Sequence, residues 1–280
     1  MVSRVRGVAV RDALSSAVIA IEAAGSPTAR LDAELLLADA LGVDRAALVV
    51  DPAREVVGPA VRAFQDAVRR RCAGREPVAY ILGRRGFRHL ELAVDPRVLV
   101  PRPETELLVE IGLGLPRGAR VVDVGTGSGA VALALKQERP DLEVLATDVS
   151  AAALEVARDN AQRLGLDVCF TAGDLLADVG AVDAVLCNPP YVAAGERAGL
   201  APEIVRHEPP GALFAGEDGL EVIRRLVPAA AAVARTRLLG VEVGEGQSAA
   251  VAALMEASGF AAVEVRSDLA GVQRFVVGER

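Results

Sequence analysis

The chain has 280 residues, 52% of them hydrophobic, and a formal net charge of −7 at pH 7. That is ample apolar side chain for one large or two modest domains, while the scattered arginines lack the basic stripe of a nucleic-acid binder. The 3 cysteines show no CxxC spacing and the histidines number 2, which speaks for reduced thiols and against a zinc site.

Acidic residues interrupt every long hydrophobic run, and the opening "MVSRVRGVAVRDAL" has no apolar core of signal-peptide length. A cytoplasmic monomer with no membrane partner and no direct nucleic-acid partner is therefore expected. Residues 8–73 carry helical spacing. In "TARLDAELLLADALGV" (28–43), Leu31, Leu35, Ala38 and Leu41 follow the three-or-four step of one buried face, with Thr28 at the cap and Gly42 as terminator. A small helical bundle over residues 1–75 follows. From residue 77, "PVAYILGRRGFRHLELAVDPRVLVPRPETE" alternates apolar and polar residues around glycines and prolines, which predicts a hairpin linker over 76–100.

Beyond residue 118 strands and helices alternate: "ARVVDVG", a helix from Ser128, "EVLATDV", a helix from Ser150, "VCFTAG" and "VDAVLCN". A helix through "GLEVIRRLVPAAAAVA", the strand "RLLGVEVG", a helix from about Gln247, and strands "AAVEVRS" and "RFVVGER" complete the series. This alternation implies an α/β domain over 101–280, a mostly parallel sheet with helices on both faces.

Ligands of such sheets sit beyond the carboxyl ends of the strands. The first strand enters "DVGTGSGA", where Gly125, Gly127 and Gly129 allow a tight turn and close approach of backbone amides, and the following helix aims its positive end at the same place. The same glycines would also serve a plain strand-to-helix turn. Asp148, ending the second strand in "LATDVS", can accept both hydroxyl hydrogens of a ribose, or cap the helix after Ser150. The loop reads GxGxG rather than the dinucleotide GxGxxG, and Asp123 precedes it. An anion there would repel a pyrophosphate but suits an ammonium or sulfonium, so S-adenosylmethionine fits better than NAD. Asp174 can accept from an adenine amino group with Leu175 covering the ring, or cap a helix.

"NPPY" ends the fourth strand on the same edge. Pro189 and Pro190 lack amide hydrogens and fix their own φ, which stops the ladder and holds the carbonyls of Asn188 and Pro189 in set directions. The Asn188 side chain adds an acceptor and Tyr191 a flat face. Two acceptors suit the two hydrogens of a planar NH₂ group. An amide nitrogen is a poor nucleophile because its lone pair is delocalised, so geometry must select it over oxygen. The plain alternative is a strand terminator.

With these residues in view the chain resembles the HemK/PrmC family of protein-(glutamine-N5) methyltransferases, which act on the Gly-Gly-Gln motif of class I peptide chain release factors. The likeness rests on "RLDAELLLADALG", "VLVPRPETELLVE", "DVGTGSGAVALAL", "NPPY" and "RHEPPGALFAGEDGL". It implies a class I S-adenosylmethionine-dependent methyltransferase, a Rossmann-like seven-stranded sheet with a reversed last hairpin, behind an N-terminal bundle that docks the protein substrate. The implied cofactor is S-adenosylmethionine, leaving as S-adenosylhomocysteine, with no metal. Its implied contacts are Gly125, Thr126, Gly127, Ser128, Gly129, Asp148, Leu175 beside Asp174, and Asn188. Asn188, Pro189, Pro190 and Tyr191 are the implied substrate contacts, with Asn188, Pro189 and Tyr191 carrying the chemistry. Leu175, often aromatic in relatives, puts ring stacking in doubt. "PETE" (103–106) favours the release-factor branch, although Glu104 and Glu106 also read as first-turn acids.

His89 and His207 read as structural or surface residues, and Cys187 as a small buried hydrophobe. Two rival readings are a DNA amino-methyltransferase and a non-catalytic binding module. The first is opposed by 3% aromatic residues, no tryptophan and the negative balance; the second leaves the acceptor array without a use.

Overall fold

The computed structural model describes residues 7–280; residues 1–6, part of the expected bundle and of the N-terminal stretch read above, lie outside the described residues. Two compact units divide the chain, one of residues 7–83 with 201–207, the other of 84–200 with 208–280. Among the described residues no helix is long and apolar enough to cross a membrane.

In the first unit, helices Val10–Ala23, Ala29–Leu41, Arg45–Val50, Pro59–Ala73 and Val78–Leu82 pack around Leu14, Ile21, Leu36, Leu37, Leu48 and Phe64. Helix Ala29–Leu41 turns inward a different face from the one its leucine spacing suggests. Of the expected face only Ala38 is buried; Leu31 is 40% exposed and Leu35 and Leu41 are half-buried, while Ala33, Leu36 and Leu37 are buried together with Asp32. Ala29, Ala33, Leu36 and Leu37 make an apolar stripe of their own at helical spacing, and Asp32 is accommodated beside it by pairing. Asp32 accepts from Arg71 Nε at 2.7 Å and from Ser26 Oγ at 2.8 Å, and Arg71 also reaches Glu203 at 3.2 Å. A carboxylate so paired tolerates burial, which a count of apolar positions overlooks. Thr28 holds the N-cap position as expected, but its hydroxyl caps no amide and donates instead to Asp32 Oδ1 at 2.9 Å. Glu203 lies on the helix Pro202–His207, and His207 Nε2 sits 2.7 Å from the Gly74 carbonyl oxygen, so a late stretch of the chain completes this unit.

The first part of the expected hairpin linker is helical instead, over Val78–Leu82, closed by Gly83 at φ 69°. The hairpin itself is shorter, Arg84–Phe87 against Leu90–Ala93, and Phe87, Leu90 and Leu92 enter the core of the second unit.

That unit is built on strands Arg120–Val124 (β1), Glu143–Asp148 (β2), Cys169–Ala172 (β3), Ala184–Cys187 (β4), Leu238–Glu242 (β5), Ala262–Ser267 (β6) and Gln273–Glu279 (β7). They form one 7-stranded sheet in the order β3-β2-β1-β4-β5-β7-β6. The first five pair in parallel, and β7 runs antiparallel to both β5 and β6. Strand alternation serves two cores. Val121, Ala146, Leu186 and Val277 face the core that holds helices Glu106–Leu113 and Ala130–Glu138. Val122, Val124, Val185, Cys187 and Val241 face the one that holds Glu221–Ala232 and Ser248–Ala257. Order reverses at β1, whose neighbours β2 and β4 lead away on opposite sides, so the ligand crevice falls beyond its carboxyl end. Val124 lies opposite both Thr147 and Cys187, and Cys187 opposite Val241. The next residues, Gly125, Asp148, Asn188 and Glu242, therefore line one sheet edge.

Candidate active site

The glycine loop after β1 is held from within. Gly125, Gly127 and Gly129 have φ of 71°, 56° and 84°, a region open to glycine and strained for other residues. The amides of Gly125 and Thr126 donate to the Thr147 carbonyl at 2.8 and 3.0 Å, and Gly129 donates to Thr126 O at 2.8 Å. A Cβ on Gly129 would stand 2.9 Å from Leu133, so this glycine is a packing requirement. One on Gly125 or Gly127 would meet nothing within 4 Å. At those two positions the backbone faces open space, a cradle of the kind a cofactor approaches. Ser128 is buried, and helix Ala130–Glu138 starts two residues later than expected, with Gly129 as its cap.

Two carboxylates brace the loop. Asp123 Oδ2 accepts from Thr126 Oγ1 at 2.7 Å and from the Ala132 amide at 3.2 Å. Burial pushes its pKa up to about 6, against the pull of these hydrogen bonds and with a small contribution from the Asp148 charge. Asp148 accepts from the Gly127 amide at 2.9 Å and the Ser150 amide at 2.8 Å, one on each oxygen. The helix cap is made by Ser150, whose Oγ accepts from Ala153 N at 3.2 Å. Each Asp148 oxygen thus keeps a lone pair for a further donor.

Asn188 follows β4 directly. Its Nδ2 donates to Thr105 Oγ1 at 2.9 Å, and Thr105 Oγ1 donates to Glu242 Oε2 at 2.7 Å. Glu242, 1% exposed at the end of β5, also takes a long 3.4 Å bond from the Tyr191 hydroxyl. Burial raises Glu242 to about 7, with the Glu104 charge adding and the bonds from Thr105 and Tyr191 and the charge of Arg274 opposing. Burial and the Glu242 charge push the Tyr191 phenol up to about 12, so it stays protonated. Pro189 is buried; Pro190 and Tyr191 are half-buried.

The backbone after the prolines is clamped as well. Gln247 Nε2 donates to the Tyr191 carbonyl at 2.9 Å while its Oε1 accepts from Gly244 N at 2.9 Å. Gly219, at φ 75°, passes so near that a Cβ would lie 2.2 Å from the Tyr191 oxygen. "NPPY" therefore does more than stop a strand, since its residues are tied to the segment before helix Glu106–Leu113, to β5 and to the start of helix Ser248–Ala257.

The residues read from sequence do not all converge. Asp174 is exposed, and one of its carboxylate oxygens, Oδ2, is ion-paired with Arg225. Leu175 sits at φ 56°, with its carbonyl accepting from Thr147 Oγ1 at 2.9 Å. Cys187 is buried and its thiol pushed well up by burial and by the charges of Asp123, Asp148 and Glu242, which leaves it inert. Sequence reasoning missed Glu242, Thr105 as distinct from its acidic neighbours, and Gln247. A signal existed for Glu242: in "LLGVEVG" it is the sole charge in an otherwise apolar strand.

Residues 12–83 match the PrmC N-terminal domain family and residues 103–234 the methyltransferase small domain family. A release factor glutamine methyltransferase of Deinococcus radiodurans is 43% identical over 276 residues, covering 97% of this chain and 98% of that protein. One of Mycolicibacterium smegmatis is 45% identical, with the same 97% and 98% coverage. The crystal structure of a methyltransferase from Pyrococcus furiosus superposes with a TM-score of 0.53 at 18% identity, over 68% of this chain and 88% of that one, which supports the class I methyltransferase fold. With relatives this similar along almost its whole length, the chain belongs to the family of release factor glutamine methyltransferases.

Proposed function

We propose that this protein transfers a methyl group from S-adenosylmethionine to the side-chain amide nitrogen of the glutamine in the Gly-Gly-Gln motif of class I peptide chain release factors. The observation that carries this reading is the pairing, on one sheet edge, of an open glycine cradle with an asparagine whose amide nitrogen is already engaged by Thr105. When bound, S-adenosylmethionine supplies an electrophilic methyl on a sulfonium. Gly125 and Gly127 would admit it, Asp148 has the spare lone pairs for its ribose, and Asp123 places a buried carboxyl under the loop.

The substrate carboxamide offers two hydrogens on a planar nitrogen. In this reading the Asn188 side-chain oxygen and the Pro189 carbonyl accept them, the Pro189–Pro190 pair keeps these acceptors stiff, and the Tyr191 ring supports the amide plane. Drawing on both hydrogens localises electron density at nitrogen and fixes its direction, the contribution expected of a preorganised site. The methyl replaces one of the two hydrogens, which leaves as a proton. The N-terminal helical unit is assigned to gripping the protein substrate, a role supported by its match to the PrmC N-terminal domain.

Incubation with methyl-labelled S-adenosylmethionine and either a purified class I release factor or plasmid DNA tests the reading. Label on the release factor and none on DNA is expected. Label on DNA would overturn it, and cofactor binding without turnover on either would leave a binding module.

A further inference from the structure

A carboxamide has two ends of almost identical shape and opposite hydrogen-bonding character, so its orientation is set by its partners. For Asn188 this choice decides function. With the oxygen toward the crevice it accepts a substrate hydrogen; turned over, it points donors at a donor.

Thr105 supplies the deciding contact. It stands immediately before helix Glu106–Leu113, where a threonine hydroxyl ordinarily accepts from an amide of the first turn, yet it makes no such bond. Its single hydrogen goes to Glu242 Oε2 at 2.7 Å. A hydroxyl that has given away its hydrogen can only accept, and at 2.9 Å from Asn188 it therefore selects the NH₂ end. Glu242 is the root of the chain, since an ionised carboxylate accepts only and forces the Thr105 hydrogen toward itself. A protonated Glu242 could donate instead, freeing Thr105 to donate to the Asn188 oxygen with the amide reversed.

We propose that Thr105 and Glu242 are positioning residues for methyl transfer, a relay in which ionised Glu242 orients Thr105 and Thr105 holds the Asn188 amide with its oxygen toward the substrate. The proposal rests on the glutamine-methylation reading above. Neither residue touches substrate in this scheme. The groups that bear on Glu242 are Thr105 and Glu104 ahead of the helix, Tyr191 beyond β4 and Arg274 on β7, while Cys187 within β4 feels the Glu242 charge as a neutral thiol. Burial, only partly offset by these neighbours, leaves Glu242 titrating at about 7, so the relay predicts loss of activity as pH falls through about 7.

The test measures kcat, KM for a class I release factor and calorimetric affinity for S-adenosylmethionine, across pH 5.5 to 9, in the wild type and in Thr105→Val, Thr105→Ser and Glu242→Gln. Thr105→Val removes the hydroxyl at constant shape; kcat should fall on the order of 10- to 100-fold with cofactor affinity changed less than about threefold, the split expected when only a preorganised group is lost. Thr105→Ser should recover most of the rate. Glu242→Gln should lower kcat several-fold and flatten the acid limb. Wild-type kcat in Thr105→Val, failure of the serine to rescue, or an unchanged acid limb in Glu242→Gln would each overturn the relay. If Thr105→Val does not fold, the serine and glutamine variants decide alone. A wild type that never methylates release factor would instead overturn the underlying reading, and that outcome is read before any variant is compared.

Discussion

The two loops that meet at the sheet edge are held by opposite means. After β1, the glycine loop is fixed by two carboxylates, Asp123 and Asp148, that accept mainly backbone amides from residues close in the chain, and its own glycines supply the curvature. After β4, "NPPY" has little backbone pairing of its own. Side chains arriving from far along the chain hold it: Thr105, Glu242 and Gln247. A cradle made of backbone tolerates a cofactor that presses on it from several directions. In the proposed function the array after β4 needs acceptors aimed closely at the substrate, and side chains held from distant elements would provide that.

This contrast can be broken or sharpened by substitution. The largest effect is expected from Asn188→Ala, which should reduce kcat by on the order of 10² to 10³ while cofactor affinity shifts only a few-fold, read by steady-state kinetics and calorimetry. A near-wild-type rate would dissolve the distinction between the loops.

Next comes Asp123→Asn, read by denaturant unfolding of the cofactor-free protein against pH. The unfolded chain ionises this carboxyl near 3.8 and the folded chain at about 6, so the native state of the wild type loses stability as pH rises through that window. The asparagine does not titrate, and both bonds fall on one oxygen that an amide oxygen can replace. The variant should therefore gain on the wild type between pH 4 and 7, by at most about 3 kcal/mol. A difference that does not change with pH would remove the claim that a carboxyl penalised by burial lies beneath the glycine loop.

Asp148→Ala should weaken cofactor binding roughly 10- to 100-fold, the worth of charge-assisted hydrogen bonds, with the rate at saturating cofactor largely kept. Unchanged affinity would remove the ribose assignment. The smallest effect belongs to Gln247→Ala, which frees the Tyr191 carbonyl and the Gly244 amide. A loss of about 1 kcal/mol in transition-state stabilisation, several-fold in kcat, is expected for one such hydrogen bond.

The same contrast explains what was legible beforehand. Strand and helix periods in residues 118–280 announce the layered sheet, and the glycine loop, Asp148 and "NPPY" can be placed on one edge because each follows a recognisable strand. Their partners are harder. Asp123 and Asp148 interact within a few dozen residues and follow from local reading, whereas Thr105 meets Asn188 across 83 positions and Gln247 meets Tyr191 across 56. Periodicity carries no information about such pairs. The burial of Asp32 in helix Ala29–Leu41 has the same origin, because it depends on Arg71, 39 residues later. Asp174, at a strand end, likewise pairs with Arg225 from another helix, a partner that its own stretch of sequence does not announce.

The measurement that bears most directly on the account is mass spectrometry of a class I release factor after incubation with the enzyme and S-adenosylmethionine, with fragmentation across the Gly-Gly-Gln segment. One added methyl on the amide nitrogen of that glutamine is predicted. A methyl on a carboxylate, on another residue, or nowhere would contradict the assignment of Asn188 and Pro189 as the acceptors that select an amide nitrogen.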